Sequence, residues 1–141
     1  MKNLLIDTGP IVAYLDAKER THIEVSEVLD RFAGQLLTTS AVITETMHFV
    51  SEAQTGPRLL ADFVLASGMH IVDFAQPLEL RQAADLMEKY SDVPMDYADA
   101  TLVLLAERLD VQNILTLDRR GFSAYRTSHK RSLNQILGYH T

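Results

Sequence analysis

Five acids in four short stretches are the residues of this chain best suited to chemistry: Ile6-Asp7-Thr8-Gly9, Thr44-Glu45, Asp96-Tyr97-Ala98-Asp99-Ala100 and Leu115-Thr116-Leu117-Asp118. A carboxylate among apolar neighbours is costly to desolvate, whereas several that converge make an oxygen-lined site for a hard divalent cation. Mg²⁺ or Mn²⁺ held in this way lowers the pKa of a bound water and neutralises a phosphodiester, so no side-chain nucleophile is required. Singly, each acid has a plainer role. Asp7 suits a helix cap or turn before Gly9-Pro10, Glu45 a solvated helix surface, Asp96 a helix N-terminus and Asp118 a turn before Arg119-Arg120-Gly121. Asp99 is harder to explain away, because Ala98, Ala100, Leu102, Val103, Leu104 and Leu105 surround it with small or apolar residues.

Positioning these acids requires alternating strands and helices, and the chain supplies them. Asn3-Leu4-Leu5-Ile6 reads as a first strand ending at Asp7, and Pro10 opens a helix. Residues 22–33 have helical spacing, with Gly34 as the expected C-cap. Leu36-Leu37-Thr38 reads as a second strand. A helix from Ser40 to about Ala53 carries Glu45 in its first two turns, and another runs from Gly56-Pro57 to Ala66, closed by Gly68. Met69–Val72 is a third strand, Pro77–Tyr90 a helix, and Met95–Leu109 a strongly apolar helix introduced by Pro94. Asn113–Leu117 is a fourth strand ending at Asp118. This is an α/β pattern without repeats, low-complexity tracts or linkers, expected to form one domain over residues 1–141. In parallel sheets ligands bind beyond the carboxyl ends of the strands, where Asp7 and Asp118 fall, and Asp96 and Asp99, one turn apart, can face the same edge. The spacing predicts that four carboxylates close on one site.

The 141 residues include no cysteine, which excludes disulfides, thiolate nucleophiles and cysteine-bound metals. Asp7 and Gly9-Pro10 interrupt the apolar run at the amino terminus, no segment is suited to span a bilayer, and the protein is expected to be soluble and cytoplasmic. The formal charge of −6 argues against a nucleic-acid partner, but its distribution does not. Residues 119–141 hold five cations (Arg119, Arg120, Arg126, Lys130 and Arg131) and no acid, so the preceding 118 residues carry −11. An acidic metal site beside a basic strip that grips an RNA backbone would be polarised in this way, as would a chain with a solvated basic tail.

Four stretches, in order, resemble the PIN-domain ribonucleases, and among them the VapC-type toxin components of bacterial toxin-antitoxin pairs. They are Leu5-Ile6-Asp7-Thr8, helical Thr44-Glu45, Asp99-Ala100-Thr101-Leu102-Val103 continuing to Ala106, and Leu115-Thr116-Leu117-Asp118 followed by Phe122. The resemblance implies a three-layer α/β/α fold with a central parallel sheet of four to five strands. It implies that Asp7, Glu45, Asp99 and Asp118 hold Mg²⁺ or Mn²⁺, with Thr8 and Thr116 in support. Asp96 competes with Asp99 for the third position; the small residue after Asp99 and its spacing from Asp118 favour Asp99, leaving Asp96 as an additional ligand or a neighbouring acid. The implied activity is endoribonucleolytic hydrolysis leaving 3′-hydroxyl and 5′-phosphate ends, the implied partners RNA and a small antitoxin, and the implied assembly a homodimer; apolar stretches such as Phe49-Val50 or Phe63-Val64-Leu65 suit either the core or such an interface.

Two alternatives compete: a PIN-type nuclease of RNA maturation or DNA processing, and a receiver-like module that binds metal without catalysis. A receiver wants paired acids after its first strand and a later Lys, whereas Thr8-Gly9-Pro10 follows Asp7 and residues 90–129 contain no Lys. His22, His48, His70, His129 and His140 lack zinc-ligand spacing, although His48 lies close enough to Glu45 to reach the site edge. No phosphate-binding Gly-rich loop or dinucleotide fingerprint exists, which argues against a nucleotide cofactor.

Overall fold

A computed structural model describes residues 2–137. The elements in chain order are β1 (Asn3–Ile6), α1 (Thr8–Leu15), α2 (His22–Arg31), β2 (Gln35–Thr39), α3 (Ser40–Val50), α4 (Gly56–Ser67), β3 (His70–Val72), α5 (Pro77–Lys89), α6 (Tyr97–Leu109), β4 (Asn113–Leu115), α7 (Arg119–Ala124) and β5 (Asn134–Gln135). The five strands form one parallel sheet in the order β3-β2-β1-β4-β5, flanked by the helices in a three-layer α/β/α arrangement. Leu4, Leu5 and Ile6 are wholly buried, as expected for the middle strand of a sheet covered on both faces.

The order decides where a site can form. From β1 the chain steps through β2 to β3 on one side, then crosses back to add β4 and β5 on the other. Right-handed crossovers leave a crevice where this direction reverses, beyond the carboxyl ends of β1 and β4. Leu5 pairs with Ile114 and Ile6 with Leu115, and the Asp7 amide continues the ladder to the Leu115 carbonyl at 3.0 Å.

Several boundaries differ from those read in the sequence. Gly34 is not the cap of α2; Phe32, in extended conformation, ends it, and among the described glycines only Gly68 takes the left-handed conformation at a helix end. The helix after Pro94 starts at Tyr97, because Asp96 is extended and caps it. Helix α3 stops at Val50, and β4 ends at Leu115, so Asp118 stands three residues beyond its strand. Neither α7 nor β5 was legible: α7 has six residues and contains Gly121, and β5 has two.

Candidate active site

Each acid is placed by a backbone feature. Asp7 caps α1 with its own carboxylate, accepting from the Thr8 amide at 2.8 Å, and also accepts from the Thr116 hydroxyl at 2.9 Å. The Thr116 oxygen in turn accepts the Asp118 amide at 3.0 Å, and Asp118 caps α7 by accepting from the Gly121 amide at 3.0 Å. From α3, Glu45 accepts the Thr8 hydroxyl at 2.5 Å. Asp96 and Asp99 form a reciprocal capping box: the Asp99 amide donates to Asp96 at 2.8 Å and the Asp96 amide to Asp99 at 3.2 Å. The plain cap roles of Asp7, Asp96 and Asp118 are therefore real, and they aim the same carboxylates at one edge.

Burial grades the five. Asp7 and Asp99 are 7% and 8% exposed, Glu45 is half-buried, and Asp96 and Asp118 are exposed at the rim. Loss of water raises the Asp7 pKa to about 6, against the lowering effect of the Thr8 amide and the Thr116 hydroxyl, with Glu45 and Asp96 adding repulsion. Asp99 is pushed up to about 8, first by burial and then by the charges of Asp7 and Asp96. Glu45 is raised by burial and by Asp96, while the Thr8 hydroxyl opposes the shift. Electrostatically the five acids are one group, short of positive charge.

A family model described as the PIN domain matches residues 4–127, which covers all five acids. The chain belongs to the PIN domain family. It is 38% identical over 124 residues to Ribonuclease VapC26 of Mycobacterium tuberculosis, covering 87% of this chain and 92% of that protein. Among solved structures, M. tuberculosis VapC20, described as a Sarcin-Ricin loop cleaving toxin, superposes with a TM-score of 0.74 at 18% identity, covering 86% of this chain and 95% of that one. VapBC2 from Rickettsia felis, solved with a DNA fragment from its promoter, superposes with a TM-score of 0.54 at 13% identity, covering 81% and 86%. At those identities the two structures speak for the PIN fold.

As the side chains of this PIN domain stand, the carboxylates do not close on a point: among the described residues no group of three His, Asp or Glu is gathered to hold a metal ion. Each acid is engaged by its own donor, and like charges favour separation. The expectation of a closed four-carboxylate site is corrected to this extent. The donor set is oxygen-only and set on helix starts and strand ends, which suits Mg²⁺ or Mn²⁺ rather than a soft metal.

Two residues at the site were not singled out in the sequence. Tyr125 is fully buried, its hydroxyl donates to the Pro94 carbonyl at 2.7 Å, and burial together with Asp99, Asp118, Asp96 and Asp7 raises its pKa. Gly121 packs between Asp118 and the Tyr125 hydroxyl so closely that a Cβ would strike both. The aromatic spacing Phe122-Tyr125 was the available signal, since the two rings pack edge to face.

The basic residues do not form one strip. Arg119 and Arg120 are exposed in the first turn of α7, directly after Asp118. The Arg126 guanidinium bonds to the carbonyls of Ser123 and Tyr125, Lys130 occupies a left-handed turn, and Arg131 pairs with Asp110 beyond the far end of α6. A strand parallel to β4 must start at the opposite sheet edge, so the chain from Asp118 to Asn134 descends the whole height of the sheet and carries its cations with it. Among the histidines, His22 bonds the Ala13 carbonyl, His48 is exposed against Phe49, and His140 lies outside the described residues.

Proposed function

We propose that this chain is a metal-dependent endoribonuclease and the toxin of a toxin-antitoxin pair. The observation that carries the reading is the buried Asp7–Asp99 pair with Glu45 beside it, at the edge where the strand order reverses. Burying two carboxylates without a cation destabilises a fold, and an oxygen-only set of this kind fits Mg²⁺ or Mn²⁺. Asp7, Asp99 and Asp118 would hold the ion with Glu45, and Asp96 would be a further ligand or hold Asp99 in place. When bound, the metal supplies charge for the phosphodiester and activates the attacking water. Thr8 and Thr116 hold the carboxylates of Glu45 and Asp7 in orientation. Arg119 and Arg120 are placed to grip the RNA backbone beside Asp118, with Arg126, Lys130 and Arg131 contributing farther from the acids.

The 38% identity to a protein named as a ribonuclease, and the fold shared with a VapBC pair, support RNA as substrate and a small antitoxin as partner. Phe49 and Leu65 are 51% and 81% exposed, which supports a homodimer that covers them. A monomer by light scattering at micromolar concentration would remove the dimer from the reading. Among the described residues no helix is long and apolar enough to cross a membrane, consistent with action in the cytoplasm.

The test is cleavage of end-labelled RNA with Mn²⁺, with chelator and with Asp99→Asn. Metal-dependent products bearing 5′-phosphate and 3′-hydroxyl ends are expected. Chelator-resistant cleavage, or 2′,3′-cyclic phosphate ends, would overturn the mechanism.

A further inference from the structure

Behind the acids lies a set of buried threonines whose hydroxyls run between the elements that carry them. Thr38, Thr39 and Thr101 are fully buried. The Thr38 hydroxyl donates to the carbonyl of Ile6, the residue before Asp7, at 2.8 Å. The Thr39 and Thr101 hydroxyls, 62 residues apart in sequence, are 2.8 Å apart in space.

The direction of that bond follows from its ends. The Val42 amide, which can only donate, points to the Thr39 oxygen at 3.2 Å, and the Ala98 carbonyl, which can only accept, takes the Thr101 proton at 2.7 Å. A hydroxyl has one proton, so Thr101 has none left to give and Thr39 must donate to it. The result is a one-way chain from the Val42 amide through Thr39 and Thr101 to the Ala98 carbonyl. One end is the first turn of α3, which carries Glu45, and the other is the residue before Asp99.

Two adjacent residues at the end of β2 thus hold the backbone beside Asp7 through Thr38 and the backbone beside Asp99 through Thr39. Packing alone does not call for such a chain: apolar side chains of the same shape would fill the space without the requirement that every buried hydroxyl be satisfied. Hydrogen bonds add a fixed direction and length. We propose that Thr38, Thr39 and Thr101 are positioning residues, a brace that sets the separation of Asp7, Glu45 and Asp99 so that the three can share one divalent cation. This rests on the metal-dependent reading of the site.

The experiment compares wild type, Thr101→Val and Thr101→Ser by Mn²⁺ titration followed through the melting temperature, and by kcat and KM for RNA. Thr101→Val should weaken the apparent Mn²⁺ affinity and lower kcat, each by about tenfold or more, as for residues that orient metal ligands. KM for RNA should stay unchanged, and Thr101→Ser should restore both values. A Thr101→Val protein that melts lower yet binds Mn²⁺ and cleaves like wild type would overturn the brace while leaving the nuclease reading intact. So would a Thr101→Ser protein that fails to recover. If Thr101→Val does not fold, Thr38→Val, which removes only the bond to Ile6, gives the same readouts with the same expected losses. A wild-type protein that neither responds to Mn²⁺ nor cleaves RNA would overturn the brace and the nuclease reading together.

Discussion

Asp7 and Thr116, 109 residues apart in sequence, are joined by a 2.9 Å hydrogen bond in which the threonine hydroxyl donates to the carboxylate. The same hydroxyl accepts the Asp118 amide, so one side chain aligns the acid after β1 with the acid after β4. Thr116→Val keeps the shape and removes both bonds. Cleavage should fall by about 10- to 100-fold with a higher Mn²⁺ requirement, and Thr116→Ser should recover most of it. Wild-type kinetics in Thr116→Val would show that the bond aligns nothing the reaction uses.

Asp96 and Asp99 are distinguished by burial. Asp99 is deep and shares its surroundings with Asp7, whereas Asp96 is at the rim. Asp99→Asn should abolish cleavage, and Asp96→Asn, which keeps the capping bonds but removes a negative charge at the rim, should reduce it by about tenfold. Full activity in Asp99→Asn together with a dead Asp96→Asn would reverse the assignment. In chelator at neutral pH, Asp99→Asn should also melt about 5 °C higher than wild type, because the amide is neutral without the proton that Asp99, ionised when unfolded, must take up to be buried.

The raised carboxyl groups make metal-free stability depend on pH. An unfolded Asp gives up its proton near pH 4, whereas folded Asp99 keeps it to about 8 and Asp7 to about 6. Between those values the folded state binds more protons than the unfolded one, so stability falls as pH rises. The decline should run from about pH 4 to 6 through both groups and on to about 8 through Asp99. In EDTA the melting temperature should therefore be lower at pH 8.5 than at pH 5.5. Saturating Mn²⁺ should recover it, more so at the higher pH, since the ion binds the deprotonated acids. A flat or rising profile in EDTA would contradict the burial of these charges.

Gly121 leaves room for the Asp118 carboxylate and the Tyr125 hydroxyl, and its amide donates to the former. Gly121→Ala should push Asp118 out of position and cost about 1–3 kcal/mol of stability, as overpacking does. Chemical denaturation and RNA cleavage measured together test this; unchanged stability and activity would mean that α7 shifts without consequence.

The sequence by itself determined a good deal. Continuous apolar runs in Leu4-Leu5-Ile6 and Ile114-Leu115 mark strands buried on both faces, and alternation with helical periods dictates a layered parallel sheet. Four separated acids among apolar neighbours also named the candidate site, because a charge in such company is costly wherever it folds. Local spacing carried no information about α7 or β5, whose few residues are held by neighbours such as the Gln112 and Ile114 carbonyls, which accept the Asn134 and Ile136 amides. Only the tertiary structure decided which acids are deep and which stand at the rim, and that the five cations after Asp118 separate along the descent to β5. It also decided that Thr39 meets Thr101 and that Thr38 reaches the Ile6 carbonyl. Threonine has no sequence period that reveals a partner 62 residues away; the pairing exists because parallel strand order brings the end of β2 against the start of α6.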